Sequence, residues 1–230
     1  MQLLDLQSEV LEANLEIVRH GLVLYTFGNA SGIDRENGLV AIKPSGVPYE
    51  KMTPADMVVC DLDGKIIESR LKPSSDLDTH LELYRAFPAI GGVVHTHSEF
   101  ATGWAQAGCS IPAFGTTHAD YFYGPVPVTE ELTVDEIASD YVLNTGKAIV
   151  RRFHDVDPSA VPAVLVAGHA PFCWGKDPAD AAHNAVILEA VARMAFYTTL
   201  LRPNFSGVSQ ALLERHYFRK HGVDATYGQK

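Results

Sequence analysis

Val93-Val94-His95-Thr96-His97 is the stretch on which the reading turns. An apolar run ends in two histidines spaced i, i+2, and in a strand that spacing puts both rings on one face. Two imidazoles on one face can grip a single metal ion. With 10 histidines in 230 residues, chance alone gives about 0.4 such pairs, so the surroundings decide. A second apolar strand, Ala163 to Ala167, runs into Gly168-His169, and a polar cluster, Ser74-Ser75-Asp76, opens a helix. Three histidines, His95, His97 and His169, and one carboxylate, Asp76, then stand at the ends of elements. Zn²⁺ takes such a set tetrahedrally, or releases the carboxylate to open a coordination position. An open position can polarise a carbonyl and stabilise a developing enolate. Asp76 fits equally the acid that a helix N-terminus favours, so both roles stay open.

Outward from these strands, Leu4, Leu11, Leu15, Val18 and Leu22 predict one apolar helix face, stopped at Gly21. Tyr25 to Ser31 reads as a short strand and loop, and Gly38 to Lys43 as an apolar strand. Met57 to Asp61 and Lys65 to Glu68 flank Asp63-Gly64, a hairpin signal. Ser75 and Asp78 have capping-box spacing ahead of a helix through Leu77, Leu81 and Tyr84. Ser98 can cap the next helix. Thr133 to Phe153 is helical by pattern, with a break near Asn144-Thr145-Gly146. Asp177-Pro178 starts a long helix, and Gln210 to Lys220 forms the last. A hairpin plus isolated strands separated by helices predicts an α/β fold: a mixed or antiparallel sheet covered by helices, in one domain over residues 1–230.

Composition narrows the function. The net charge of −10 argues against a nucleic-acid binder, which needs basic residues to neutralise phosphates. It leaves room for a small anion held by backbone N–H groups and one lysine. The N-terminal segment carries Asp5, Glu9, Glu12 and Glu16 where a leader would be cationic, and no apolar run approaches bilayer length. Cys60, Cys109 and Cys173 are odd in number and widely spaced, which predicts small buried thiols and a reducing, cytoplasmic setting. Gly28-Asn29, Lys43, Ser45-Gly46 and Ser74-Ser75 lie at strand ends and helix starts, where hydroxyls and free N–H groups can converge on an anion. His20, His80, His118, His154, His183 and His221 read as surface or helix-face polar residues.

H-T-H at His95 and His97, K-P-S-G at Lys43 to Gly46, P-S-S-D at Pro73 to Asp76, G-T-T-H-A-D-Y-F-Y-G at Gly115 to Gly124 and H-A-P-F at His169 resemble the class II aldolase/adducin-like superfamily. The ending R-K-H-G followed by Y-G-Q is similar to its L-ribulose-5-phosphate 4-epimerase branch, and the resemblance runs nearly the whole chain in the same order. It implies a three-layer αβα fold with a central, largely antiparallel sheet. It also implies a cytoplasmic C4 homotetramer with active sites shared between subunits, and one Zn²⁺ per subunit on Asp76, His95, His97 and His169. The substrate would be a sugar phosphate held by Gly28, Asn29, Lys43, Ser45, Gly46, Ser74 and Ser75. The reaction would be C4 epimerisation of L-ribulose 5-phosphate to D-xylulose 5-phosphate, an isomerase step of pentose catabolism of the L-arabinose or L-ascorbate type. Retro-aldol cleavage and re-addition would carry it. By the same resemblance Asp120 and Tyr227, the tyrosine from a neighbouring subunit, move the protons, and His216 lies near the site.

Four positions depart from the family pattern. Phe27 stands for a usual Trp, Ala30 for Val, Ala170 for the Gly after the histidine, and Val142 for a frequent acid. The competing readings are a fuculose- or rhamnulose-phosphate aldolase, which would carry Glu at position 76, and an adducin-head-like interaction domain, which would lack the metal histidines.

Overall fold

Short turns join three pairs of neighbouring strands. In the computed structural model, which describes residues 3–222 and 225–226, β1 (Asn29–Asp34), β2 (Leu39–Ile42), β3 (Val58–Asp61) and β4 (Ile66–Glu68) form an antiparallel meander. β5 (Gly92–His95) returns to pair with β1. β6 (Ala163–Leu165) and β7 (Pro171–Gly175) form a hairpin, and β7 pairs with β5. The pairs joined by short turns are β1–β2, β3–β4 and β6–β7. The order is β4-β3-β2-β1-β5-β7-β6, with every pairing antiparallel. A parallel bridge between Val128 and Leu165 adds a short extended segment at the β6 edge.

α1 (Leu3–Arg19), α2 (Leu77–Ala86), α3 (Glu99–Gln106), α4 (Thr116–Ala119), α5 (Val134–Ala138), α6 (Tyr141–Arg152), α7 (Pro178–Leu201) and α8 (Gln210–His221) complete the chain. Strand alternation assigns the layers. A Cβ on Gly32 would lie 2.6 Å from Pro178 and 3.0 Å from Val10, so that face carries α1 and α7. The next residue back, Ser31, points the other way and bonds to His80 and Tyr84 of α2. Apolar side chains from both faces form the main core, with Ile42, Leu81, Val93, Phe172 and Trp174 almost fully buried.

α1 forms where expected but buries a different stripe. Leu6, Val10, Ala13 and Ile17 face inward together with Gln7 and Asn14, while Leu4 stays 60% exposed. Two polar residues disguise the inner face. Asn14 accepts from the Ala30 N–H at 2.8 Å and donates to its C=O at 3.1 Å, and Gln7 donates to the Met57 carbonyl. Their hydrogen bonds offset the cost of burying amides. The helix stops at Gly21, φ +68°, with Leu22 N–H on Ile17 C=O and Gly21 N–H on Val18 C=O, a Schellman end.

Four further expectations change. α2 lacks the capping box: its N-cap is Asp76, with no side-chain cap bond. The break in residues 133–153 falls at Ser139-Asp140, not at Asn144-Thr145-Gly146, because Asp140 caps α6 on the Leu143 N–H. Gly146 then serves packing: a Cβ there would sit 2.8 Å from Glu82 Cβ where α6 crosses α2. Cys109 is exposed, whereas Cys60 and Cys173 are buried as expected. α7 also exceeds the expected apolar length. By length and a mean hydropathy of 1.2 it matches a bilayer span. It lies instead along the sheet, burying Ala181, Ala185, Leu188 and Ala192.

Two helix glycines should therefore respond in opposite ways to alanine. Gly103 in α3 has nothing within 4 Å of an added Cβ, so Gly103→Ala should stabilise by about 0.5–1 kcal/mol through helix propensity. Gly146→Ala meets a Cβ fixed on a neighbouring helix; overpacking of about 1–3 kcal/mol exceeds that gain, and the protein should lose stability. Urea denaturation midpoints of the two variants check both signs.

Candidate active site

β5 ends at His95, and the chain continues through Thr96 and His97 to the start of α3. The same-face rule of a strand thus places His95 alone; His97 arrives from the connection. The two Nε2 atoms lie 3.2 Å apart. His169 comes from the β6–β7 turn, where Gly168 takes φ +68° and the His169 N–H bonds to the Val166 C=O. Its ring is 4.9 Å from that of His95 and 5.1 Å from that of His97. One nitrogen from each ring falls within 4.8 Å of the others.

The donor set suits a divalent cation. His95 Nδ1–H donates to the Pro171 carbonyl at 2.9 Å, which leaves its lone pair on Nε2, beside His97. A tetrahedral ion with bonds of about 2.0–2.1 Å holds its nitrogens about 3.3–3.4 Å apart, close to the 3.2 Å between the His95 and His97 nitrogens. Burial pushes the His95 imidazole down to about 3, outweighing the attraction of Asp76, and lowers His97 and His169 too. All three are then neutral at physiological pH, the form that ligates. Phe172 stacks on His95 at 4.2 Å and fixes the ring plane.

Asp76 lines the same cavity, outside the compact nitrogen group. Its carboxylate makes no helix cap; Oδ2 accepts from Asn29 Nδ2 at 2.6 Å. Burial acts to raise its pKa, but His95, His80 and the Asn29 bond outweigh this and hold it below the usual carboxylate range. Of the two roles left open for Asp76, the geometry favours a carboxylate reserved for the cavity.

The cavity measures about 440 Å³, and all the residues expected to bind substrate or metal line it: Gly28, Asn29, Lys43, Ser45, Gly46, Ser74, Ser75, Asp76, His95, His97 and His169. An isolated bridge between Pro44 and Pro73, with the Ser74 N–H on the Lys43 C=O, sets the two serine-bearing loops side by side. Lys43 is 2% exposed. Its ammonium donates to the Pro44 carbonyl at 3.2 Å and lies 4.7 Å from the centre of the Tyr49 ring; no carboxylate pairs with it among the described residues. Burial lowers its pKa. An unneutralised buried cation is costly in isolation and well suited to an anionic guest. Thr26, Phe27 and Pro44 complete the lining. Phe27, noted as a departure, stands with its ring 6.2 Å from that of His97. Tyr141, beside the departure Val142, approaches His169 at 6.1 Å. Ala170 is buried, and Ala30 forms the Asn14 anchor.

Asp120 and His216 meet elsewhere. Asp120 caps the end of α4, and its Oδ1 lies 3.0 Å from His216 Nδ1 on α8. Arg219 grips both oxygens, at 3.1 and 2.8 Å, and Lys220 stands at 3.9 Å. Burial acts to raise the Asp120 pKa, but Arg219 and His216 prevail and hold it below the usual range. Neither Asp120 nor His216 lines the cavity of its own chain. Tyr227 lies outside the described residues. The sequence reading missed Arg219 as Asp120's partner, although R-K-H-G had been singled out. His216 and Arg219, three apart on one helix, were the available signal.

His80 and His118, expected as surface or helix-face polar residues, lie on helices but are buried. His80 Nδ1 lies 2.7 Å from Ser31 Oγ, which also meets Tyr84 Oη at 2.8 Å. His118 Nε2 donates to the Gly124 carbonyl at 2.7 Å. His221 stays exposed, as expected, with its Nε2 2.9 Å from the Asp120 carbonyl oxygen.

A profile of the Class II Aldolase and Adducin N-terminal domain family matches residues 8–196. Two curated proteins named L-ribulose-5-phosphate 4-epimerase UlaF, from Salmonella paratyphi A (strain ATCC 9150 / SARB42) and Salmonella typhi, are each 54% identical over 225 residues, covering 98% of this chain and 99% of theirs. Among solved structures, an L-fuculose 1-phosphate aldolase aligns with a TM-score of 0.78 at 25% identity, over 92% of this chain and 94% of that one. The L-fuculose-1-phosphate aldolase of Thermus thermophilus, at TM-score 0.68 and 24% identity over 89% and 100% of the two chains, shares the fold.

Two measurements probe the site and its surroundings. His97→Asn should lose bound divalent metal, read by elemental analysis, while wild type retains it through gel filtration. Separately, burial holds His80 and His118 near pKa 4, against 6.5 when unfolded. The unfolded chain therefore takes up their protons first as pH falls. Stability should be full above pH 6.5 and decline toward pH 4, by about 1 kcal/mol per pH unit for each histidine. Urea midpoints at pH 7, 5.5 and 4.5 test this; identical midpoints would contradict it.

Proposed function

The chain belongs to the Class II Aldolase and Adducin N-terminal domain family, and within it we propose an isomerase that inverts C4 of L-ribulose 5-phosphate to give D-xylulose 5-phosphate. The observation that carries the reading is 54% identity over 98% of the chain to proteins named for that epimerisation. The cavity supports it, since a neutral imidazole group and a buried lysine with no carboxylate partner among the described residues both line it. The interaction-domain reading gives no use for either group.

Carbon–carbon cleavage suits this substrate. C4 is not adjacent to the C2 carbonyl, so its hydrogen is not acidic and direct deprotonation is closed. Breaking C3–C4 gives the enediolate of dihydroxyacetone and glycolaldehyde phosphate; re-addition to the other face of the aldehyde inverts C4. A Zn²⁺ ion on His95, His97 and His169, with Asp76 within reach, would supply Lewis acidity for the negative charge that gathers on the carbonyl oxygen. Lys43, Ser45, Ser74 and Ser75 would hold the phosphate, and with it the two-carbon fragment, while the aldehyde turns. Asn29 orients the Asp76 carboxylate.

Epimerisation at C4 also needs a proton-transfer group on each side of the C4 oxygen. We assign these roles to Asp120 and Tyr227. Arg219 and His216 keep Asp120 ionised, ready to accept a proton. Because Asp120 does not line its own chain's cavity, the reading requires a neighbouring subunit, and a C4 homotetramer supplies one. The competing aldolase reading draws on the 0.78 TM-score to an L-fuculose 1-phosphate aldolase; it would release the cleavage fragments instead of recombining them.

NMR of L-ribulose 5-phosphate turnover in D₂O separates these readings. D-xylulose 5-phosphate should form without deuterium at C4. Deuterium there would overturn the cleavage mechanism, and accumulation of dihydroxyacetone with glycolaldehyde phosphate would favour the aldolase. Tyr227→Phe should lose about 10²–10⁴-fold in kcat while keeping its metal. Mixed tetramers of Tyr227→Phe and His97→Asn chains should regain a fraction of wild-type activity; no recovery in verified mixed tetramers would remove the shared site.

A further inference from the structure

Tyr49 occupies the single turn Tyr49–Lys51 that follows Pro48. It does not line the cavity. Its ring is 5% exposed, packed with Leu6, Val10, Met52 and Met57 in a second core cluster beneath α1. Two of its contacts nevertheless reach the cavity wall. The hydroxyl donates to the Gly28 carbonyl at 2.7 Å. The ring face lies 4.7 Å from Lys43 Nζ.

Both contacts bear on how an anion is received. Gly28 has φ +102°, and a Cβ there would come within 2.9 Å of Val23 Cγ1 and 3.1 Å of the His95 carbonyl oxygen. The position must be glycine, and glycine leaves the peptide free to rotate. A carbonyl turned toward a phosphate would oppose it with the negative end of its dipole. The Tyr49 hydroxyl turns that oxygen toward itself, behind the wall. Burial raises the phenol pKa, so the group remains a donor. The electron-rich ring face meanwhile stabilises the Lys43 ammonium without neutralising it, as a carboxylate would. The charge thus stays available to a guest.

We propose that Tyr49 is a positioning residue of the phosphate cradle, orienting the Gly28 peptide and the Lys43 ammonium from behind the cavity wall. The proposal rests on the reading that this cavity takes a sugar phosphate. Tyr49→Phe removes only the hydroxyl. Losing one such hydrogen bond corresponds to about a five- to tenfold change. KM for L-ribulose 5-phosphate should rise by that factor with kcat altered by less than about twofold. The kcat/KM for unphosphorylated L-ribulose should stay unchanged. Calorimetric titration of the metal-loaded protein with inorganic phosphate should weaken by the same factor. That arm needs no turnover, so it distinguishes the two ideas. If wild type fails to convert L-ribulose 5-phosphate yet binds phosphate more tightly than Tyr49→Phe, the epimerase reading falls and the cradle stands. Unchanged phosphate affinity and KM in Tyr49→Phe would overturn the proposal. So would an equal loss with the phosphorylated and unphosphorylated sugars, the mark of a core residue alone. Tyr49→Leu, which also removes the ring face, should weaken phosphate further; Tyr49→Phe retains the test if that variant fails to fold.

Discussion

The register of three adjacent strands sets Asn29, His95 and Phe172 abreast on β1, β5 and β7. All three then share the face that carries α2. From that row Asn29 reaches Asp76, His95 reaches His97, and Phe172 stacks against His95. A slip of one residue in either pairing would send His95 toward α1 and α7. That slip is blocked by packing on the opposite face. A Cβ at Gly92 would meet the Asp177 carbonyl oxygen at 2.4 Å, so a side chain moved into that place has no room. The metal candidates are therefore located by packing on a face that they do not touch.

Burial shapes the chemistry of both kinds of group in the cavity, with opposite consequences. It favours uncharged imidazoles at His95, His97 and His169, which leaves them as ligands. It penalises the Lys43 ammonium, which is held by one carbonyl and one aromatic face. Neither set is content by itself: the imidazoles offer lone pairs, and the ammonium has no carboxylate counterion among the described residues. A guest that brings an anion and can bridge to a cation answers both.

Much of this was legible in sequence because it is local. The H-x-H pair, the Asp63-Gly64 hairpin, the Asp177-Pro178 helix start and the serine loops each carry their signal within a few residues. What failed was decided by distant partners. The inward face of α1 is marked by Asn14 and Gln7, whose polarity makes sense only once Ala30 and Met57 are seen to receive them. Gly146 looked like a helix break because its reason lies on α2. The burial of His80 and His118 on their helices was not legible, because Ser31 lies 49 residues from His80 and the Gly124 carbonyl reaches His118 only through the fold of its loop. The Asp120 cluster was legible as motif but not as structure, since α4 and α8 lie far apart in sequence.

The strand order divides the sheet into two locally connected parts, β1 to β4 and β6 to β7, joined through β5. Hairpin closure within each part is fast and cheap in chain entropy, whereas the β1–β5 and β5–β7 pairings close the long loops. The cavity straddles that junction: Asn29 and Lys43 come from the first part, His95 from β5 and His169 from the second. No partly folded chain with an open junction holds a complete site. A guest that touches both sides binds only after the slowest closure, and its effect falls on the rate at which the junction reopens. Bound substrate or metal would thus act as a kinetic latch, lengthening the lifetime of the native state while leaving the speed of folding almost unchanged.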